Sequence, residues 1–436
     1  MSGEPVSTPH PPRWLPELLR SAAMARAFTL ATFGAVFASY AIQWLAGPVT
    51  FITIVAGLCV VGVGMLIARR HELSFLRLVP ISLLVFVCWV LLSIVWSTSP
   101  ADTVTGCIAL LGVAVIAIVI GHVRDTLQTV RALGDVMRWL LSISLALEIV
   151  IGILMKTPVH WFGIEGNIIR LGPVEGIFGS RNMLGFVAVI ALVTFVVEWR
   201  TASIRPGLAV FSVAVGGVMA ALSGSPTVLV VAAAVGIATA ALFLVRHVRA
   251  HDRATVQWVL GAVVAVGLGT AYILRHQIIA AAGSDFSIRA NLWRVLSIYV
   301  RYHPVEGFGW FGTWPVEQYP FVSINFTLDK HYTTALNAYA DLVLQVGWLG
   351  LFLFVAMAGI ALIRSWLTAG ERRAIVYAWT PLVLVALLSN SLFESFTLSG
   401  AGWLMLVVLM VRAGQSRSWR ERLDAASADA VLPAEE

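Results

Sequence analysis

Residues 226–245 read PTVLVVAAAVGIATAALFLV, twenty residues without a charged side chain, and Arg246 follows them. A helix of about 20 apolar residues crosses the ~30 Å hydrocarbon core of a bilayer. Lipid offers no hydrogen-bond partners, so a continuous apolar run satisfies its own backbone there as a helix. Similar runs recur from Arg26 to Arg412. The sequence therefore predicts an all-α, polytopic integral membrane protein.

The composition supports this class and argues against others. Of 436 residues, 59% are hydrophobic and 12% are charged, whereas soluble chains carry about 25% charged residues. Cys59, Cys88 and Cys107 lie inside apolar runs without metal-ligand spacing. The chain has no phosphate-binding loop or dinucleotide fingerprint. We therefore expect no metal, no cofactor and no nucleic-acid partner.

We predict about twelve transmembrane helices. They span 27–46, 49–68, 78–96, 104–121, 136–155, 182–198, 207–222, 226–245, 256–274, 338–363, 374–389 and 396–412. A large loop at 275–337 joins helices 9 and 10. The predicted regions are a cytoplasmic tail at 1–25, N-terminal transmembrane helices at 26–175, a second transmembrane domain at 176–412 and a cytoplasmic tail at 413–436.

Basic residues set the predicted orientation, because cytoplasmic loops are enriched in Lys and Arg. With both termini in the cytoplasm, 21 of the 29 basic residues lie on the inside. The other eight fall in the outer segments 156–181 and 275–337. They are Lys156, Arg170, Arg181, Arg275, Arg289, Arg294, Arg301 and Lys330. Cations held against the topological bias indicate an anionic ligand at the outer face of the cytoplasmic membrane.

Three of these arginines, Arg289, Arg294 and Arg301, fall within a short predicted helix at 288–302. Arg294 and Arg301 share one helical face, and Arg289 is offset by about 140°. The planar fork of arginine suits phosphate oxygens. These side chains are therefore candidates for binding a lipid diphosphate. The alternative is interfacial snorkelling or pairing with carboxylates.

Candidate proton-transfer groups lie in the large loop at 275–337. His303 and Glu306 are spaced as a general base with an orienting acid, or as an ordinary solvated turn. His331 is a second candidate base, because imidazole exchanges protons near neutral pH. Polar residues four apart stripe one face of the tenth helix, as a hydrogen-bond seam between helices or a functional groove. They are Asn337, Asp341 and Gln345.

Two further places bring polar groups to the membrane surface. Residues 176–182 (GIFGSRN) open the sixth predicted helix, where Arg181 and the helix N-terminus favour an anion. The alternative is a tight turn in which Asn182 bonds the backbone. Asn390 and Glu394 lie beside the last outer turn. Polar side chains at that depth are functional candidates by default.

Four segments occur in a recognisable order. They are GIFGSRN at 176–182, LSGSPT at 222–227, RANLW at 289–293 followed by HPVEGFG at 303–309, and LNAYAD at 336–341 followed by GWLG at 347–350. With the large loop between them, they resemble the O-antigen ligase and polymerase superfamily of bacterial membrane glycosyltransferases. The likeness covers residues ~175–350, and it implies that 176–412 is an O-antigen ligase-like domain in a bacterial inner membrane.

Members of that family use an undecaprenyl-diphosphate-linked glycan as donor and need neither nucleotide nor metal. The resemblance implies that Arg289 grips the diphosphate and that an outer-loop histidine acts as base or orients the acceptor. Two positions depart from the family pattern. Leu336 stands where the family has a histidine before its asparagine, and Pro226 stands where a basic residue is common. His331 could substitute for the missing histidine.

The first hypothesis is a surface-polysaccharide polymerase or ligase. Its partners are a lipid-linked oligosaccharide donor, a glycan or lipid-glycan acceptor and membrane lipid. The acceptor groove would contain Asn337, Asp341, Asn182 and Glu394. The second hypothesis is a transporter or flippase for lipid-linked glycans, which requires repeats, broken midplane helices and deep charges; Glu148 is the one clear deep charge. The third is a non-catalytic scaffold of glycan assembly with unknown protein partners.

Overall fold

The protein is all-helical, as predicted. The computed structural model describes residues 14–71, 78–155, 164, 166–249, 251–274, 277 and 283–415. Most of the two predicted cytoplasmic tails, and the outer cations Lys156 and Arg275, lie outside these residues. The described residues contain no β-strand.

Fifteen α-helices, α1 to α15 in chain order, make up the described part of the chain. They span Trp14–Arg20, Ala22–Phe37, Ser39–Ala68, Ile81–Leu92, Pro100–Val123, Thr126–Ile149, Arg181–Arg200, Pro206–Leu222, Pro226–His247, Arg253–Ile273, Gly283–Val300, Phe321–Leu328, Ala338–Glu371, Val376–Asn390 and Gly400–Gln415. Two lie in the predicted outer loop, α11 (Gly283–Val300) and α12 (Phe321–Leu328).

Six helices are long and apolar enough to span a bilayer, which fits a membrane protein. They are α3, α5, α6 with its π-helical extension to Met155, α7, α9 and α13. Six shorter apolar helices accompany them, at Ala22–Phe37, Ile81–Val95, Pro206–Leu222, Arg253–Gly267, Val376–Asn390 and Gly400–Gln415. The predicted transmembrane segments overlap these apolar helices, with 27–46 divided between α2 and α3.

Several predicted boundaries differ from the structure, and two of the differences have a clear local cause. The expected turn at 46–49 is a kink inside α3, where Gly47 adopts a φ of +84° and Pro48 continues the helix. Proline is well placed at the start of a helical segment, because its missing N–H is not needed there. The fifth predicted helix begins ten residues too late, since α6 already starts at Thr126. Asp125 and Gln128 form a capping box that fixes this earlier start.

Because α6 starts at Thr126, Arg138 lies well inside this helix, and its side chain is buried in the bundle. Its Nη1 lies 2.6 Å from Glu198 Oε2 on α7, and its Nη2 lies 2.6 Å from Asp135 Oδ1. The side chains of Arg138 and Glu198 are 8% and 0% exposed. Glu148 is therefore not the one deep charge, because this pair links α6 to α7 in the interior.

Helix α13 is interrupted at Gly347, and the loop before it supplies the hydrogen bonds that the interrupted backbone lacks. Gly347 has φ +70° and ψ −177°, a conformation that essentially only glycine adopts. The Phe308 and Gly309 amides donate to the carbonyls of Leu344 (3.1 Å) and Gln345 (2.8 Å). The Trp348 amide donates to Pro304 O at 2.9 Å. Segment 304–309 therefore supplies backbone partners that the helix lacks at this point.

We predict that Gly347→Ala destabilises the folded protein. The backbone conformation alone would cost about 1–3 kcal/mol, and the new Cβ would collide with the Val305 carbonyl. Gly359→Ala is the matched control, because it lies in the same helix with open space around its Cβ. Thermal unfolding in detergent should give a lower midpoint for Gly347→Ala and not for Gly359→Ala. Equal midpoints would contradict the proposed strain.

Candidate functional site

The predicted site residues gather where several helices begin or end at one end of the bundle. Helices α7, α9 and α13 begin there, and α14 ends there before the turn at 391–399. Helix α11 of the outer loop packs on the same end and contacts α13. The arrangement brings together segments that are far apart in the sequence.

A buried cluster of four polar side chains lies at the centre of this region. Arg289 Nη2 on α11 lies 2.8 Å from Glu394 Oε1. Asn182 Nδ2 donates to the same oxygen at 2.6 Å, and Ser225 Oγ donates to Asn182 Oδ1 at 2.6 Å. The side chains of Arg289 and Glu394 are only 14% and 6% exposed. Three of the four motif segments therefore meet in one hydrogen-bonded network.

Local structure explains how Asn182 becomes available to this network. Ser180 caps α7 by accepting a hydrogen bond from the Met183 amide at 3.2 Å. The backbone-bonding role expected for Asn182 in a tight turn is thus taken by Ser180, and the amide side chain is free to bridge Ser225 and Glu394. Arg181 precedes it in the first turn and is half-buried.

Burial affects both the carboxylate and the N–H donors of this region, and some of the donors have no hydrogen-bond partner. Burial raises the pKa of the Glu394 carboxyl, while the positive charge of Arg289 and the Asn182 hydrogen bond oppose that rise. Among the described residues, Arg289 Nε and Asn390 Nδ2 are buried without a hydrogen-bond partner. An unsatisfied buried donor costs about 1–3 kcal/mol. Acceptor oxygens of a ligand would relieve this cost.

The three outer-loop arginines do not share one environment. Arg289 faces the bundle, whereas Arg294 is exposed and donates to Asn291 Oδ1 at 2.6 Å. Arg301 is exposed just after α11 ends at Val300. This agrees with the angular offset expected between Arg289 and the other two. Within the described residues, no hydrogen bond or ion pair joins Arg294 or Arg301 to the cluster.

The polar stripe on α13 forms a seam with the outer loop. Asp341 is fully buried and accepts from Trp314 Nε1 (2.6 Å), Ser395 Oγ (2.6 Å), Gln345 Nε2 (3.0 Å) and the Ala335 amide (3.1 Å). Because its oxygens are occupied, Asp341 is suited to holding structure and not to accepting a proton. Ser395 adjoins Glu394, so the seam and the cluster are neighbours.

The other two stripe residues also bind backbone. Asn337 Oδ1 caps α13 by accepting from the Tyr339 and Ala340 amides at 2.9 and 3.0 Å, and its Nδ2 donates to Leu392 O at 3.0 Å. Gln345 Oε1 accepts from the Phe311 and Gly312 amides at 2.8 and 3.0 Å. These bonds tie the outer loop and the last outer turn to α13.

The candidate proton-transfer residues belong to no hydrogen bond of the cluster in the described part of the chain. His303 Nδ1 is 2.9 Å from Glu306 Oε1, and this hydrogen bond lowers the pKa of the Glu306 carboxyl. The pair therefore has the geometry of a base with an orienting acid. His331 is exposed. In the described part of the chain, no hydrogen bond joins His303, Glu306 or His331 to Arg289 or Glu394.

Trp314 and Ser395 were missed by the sequence reasoning. Each donates at 2.6 Å to a carboxylate that the sequence did single out. Ser395 follows Glu394 directly, and that adjacency was an available signal. Nothing local in the sequence connects Trp314 with Asp341, 27 residues further on.

Comparison with known proteins places the chain in no family. No family model matches it, and no curated protein matches it.

We predict that Arg289 and Glu394 are energetically coupled. Arg289→Gln or Glu394→Gln leaves a buried charge unpaired, which costs about 3–5 kcal/mol. The double variant removes both charges, so it should lose less than the sum of the two single losses. Thermal unfolding of the detergent-solubilised protein measures each loss. Exposed Arg294→Gln, on the same helix, should change stability by less than about 0.5 kcal/mol; additive losses at 289 and 394 would refute the coupling.

Proposed function

We propose that this chain is a metal-independent glycosyltransferase that acts on lipid-linked glycans. It would transfer a glycan from an undecaprenyl-diphosphate donor to an acceptor hydroxyl, as a surface-polysaccharide polymerase or ligase. The proposed location is a bacterial cytoplasmic membrane, with about twelve spans, both termini inside and the Arg289 cluster at the outer face. Donor, acceptor and membrane lipid are the proposed partners.

The observation that carries this proposal is the buried Arg289–Glu394–Asn182–Ser225 network. Its members come from the segments 176–182, 222–227 and 289–293 on which the family resemblance rests. If each segment were only a local turn, contacts between these distant segments around one arginine would not be expected. An arginine with an unmatched Nε donor at a helix-end cluster suits a diphosphate oxygen.

In this proposal each residue has a defined part in the transfer. The acceptor hydroxyl oxygen attacks the anomeric carbon of the donor, and the bond between that carbon and the diphosphate oxygen breaks. Arg289, held in orientation by Glu394, stabilises the negative charge that develops on the leaving diphosphate. The acceptor proton passes to His331 or to His303, whose ring Glu306 orients. Arg181 lies beside the cluster and Arg294 and Arg301 lie further out, where they would attract the donor.

The transporter hypothesis draws support from the break at Gly347, because broken helices form substrate sites in transporters. The backbone groups at the break are not available to a substrate, however. They are hydrogen-bonded to the backbone of Pro304, Phe308 and Gly309, and the Trp89 indole donates to Val346 O at 2.9 Å. This occupancy favours the transfer proposal over transport.

We predict that Arg289→Lys blocks product formation while the protein still folds. Lysine keeps a charge for Glu394 but loses the planar fork that binds a diphosphate. The expected result is accumulated lipid-linked glycan in membranes of a complemented deletion strain, with loss of polymer or ligated product by more than about tenfold. Gel analysis of surface polysaccharide and mass spectrometry of extracted lipids measure both.

His331→Ala tests the proton acceptor separately, because the side chain is exposed and its loss should not affect folding. Arg205→Gln is the control, an exposed arginine before α8 at the other end of α7 from Asn182. It should leave product and lipid-linked intermediate unchanged.

Wild-type product from Arg289→Lys, with normal levels of inserted protein, would overturn the diphosphate assignment.

A further inference from the structure

A polar cavity lies at the opposite end of the bundle from the Arg289 cluster. Helix α13 begins beside the cluster at Ala338 and ends at Glu371, and α15 runs from Gly400 to Gln415. Their far ends border a half-open cavity of about 230 Å³. Its lining includes the guanidinium groups of Arg372 and Arg412 and several hydroxyl side chains. Among the described residues, no Asp or Glu lines it.

Arg412 is a partly buried cation, and no carboxylate of the described residues lies within ion-pair distance of it. Its Nη1 donates to Gln415 Oε1 at 3.0 Å and its Nη2 donates to Thr129 Oγ1 at 3.3 Å, both neutral groups. Its Nε is buried and has no hydrogen-bond partner in the described residues. Asp125 interacts with it only at longer range, because that carboxylate caps α6 through the Gln128 amide at 2.7 Å. A buried donor without a partner is costly, so the Nε group favours an acceptor oxygen.

Neighbouring side chains hold the cavity in shape. Arg372 Nη1 donates to the Tyr377 hydroxyl at 2.9 Å, and the guanidinium lies 4.8 Å from the centre of the Tyr377 ring. Gln415 Nε2 donates to Gly121 O at 2.8 Å, which leaves its amide oxygen facing Arg412. The two arginines are therefore positioned before any ligand arrives.

Chemistry and size both point to a phosphate group as the occupant. Two guanidinium forks and threonine hydroxyls are donors to phosphate oxygens. The first turns of α6 and α14 contribute Thr126, Tyr377 and Thr380 to the wall, and helix N-termini favour anions. At a liquid volume of about 30 Å³ per water, the cavity has room for a phosphate and several waters.

We propose that this cavity binds a phosphate group of an anionic molecule, either the headgroup of an anionic lipid or a free phosphate. The site is independent of glycan transfer, since none of its residues belongs to the Arg289 cluster or to the outer loop. The ligand phosphate neutralises Arg412 and joins the ends of α6, α13, α14 and α15.

The full-length protein, purified in detergent, tests this proposal with two probes. Phosphatidylglycerol retention, measured by native mass spectrometry against phosphatidylcholine, reports a lipid source. Inorganic phosphate, titrated calorimetrically, reports a soluble source. Loss of a charge-assisted contact in Arg412→Gln should weaken binding of the relevant probe by about tenfold or more. Arg372→Gln removes an exposed side chain, so it should fold and should weaken the same probe.

Arg373→Gln is the matched control, because Arg373 is exposed beside Arg372 but does not line the cavity. It should bind both probes as the unmodified protein does. Weakened phosphatidylglycerol retention in both test variants supports a lipid headgroup, and weakened inorganic phosphate binding supports a soluble ligand. The proposal is overturned if neither probe binds the unmodified protein, if Arg372→Gln binds normally, or if Arg373→Gln loses as much affinity.

Discussion

The hydrogen bonds that satisfy the break in α13 are the constraint on which the arrangement around Asp341 and Arg289 depends. A bilayer leaves no water for unpaired backbone groups, so a helix can break at Gly347 only where other backbone replaces the missing partners. Segment 304–309 does this, and it is thereby fixed against α13. That attachment brings Phe311, Gly312 and Trp314 onto the polar stripe. Asp341 then holds Ser395, whose neighbour Glu394 orients Arg289.

Helix α7 shows how charge is used to position a buried helix. Its spanning window is 72% buried, the highest share among the six long apolar helices. A helix that is surrounded by other helices has few contacts with solvent that could set its position along the bundle axis. Asn182 at one end bonds Glu394, and Glu198 near the other end pairs with buried Arg138. A polar anchor at each end therefore sets the position of α7 along the bundle axis, and the position of Asn182 follows from it.

The sequence predicted features that depend on local pattern and missed those that depend on distant contacts. Apolar run length located the helices, and helical periodicity separated Arg289 from Arg294. The start of α6 was missed because its first ten residues, 126–135, include the charged Arg131 and Asp135 and resemble a loop in composition. The partners of Asp341 were equally invisible, since Trp314 and Ser395 lie 27 and 54 residues away. Helical periodicity identifies which residues share a helix face, but it does not identify the side chains that pack on that face.

The order of these contacts along the chain has a consequence for biosynthesis. The groups that satisfy the break in α13 include the Trp89 indole and the backbone of Pro304, Phe308 and Gly309. All of them precede Gly347 in the sequence. A ribosome working from the N-terminus has therefore made every one of these partners before the interrupted helix emerges. The backbone at this break therefore meets its hydrogen-bond partners as soon as it is synthesised, without waiting for residues still to be translated.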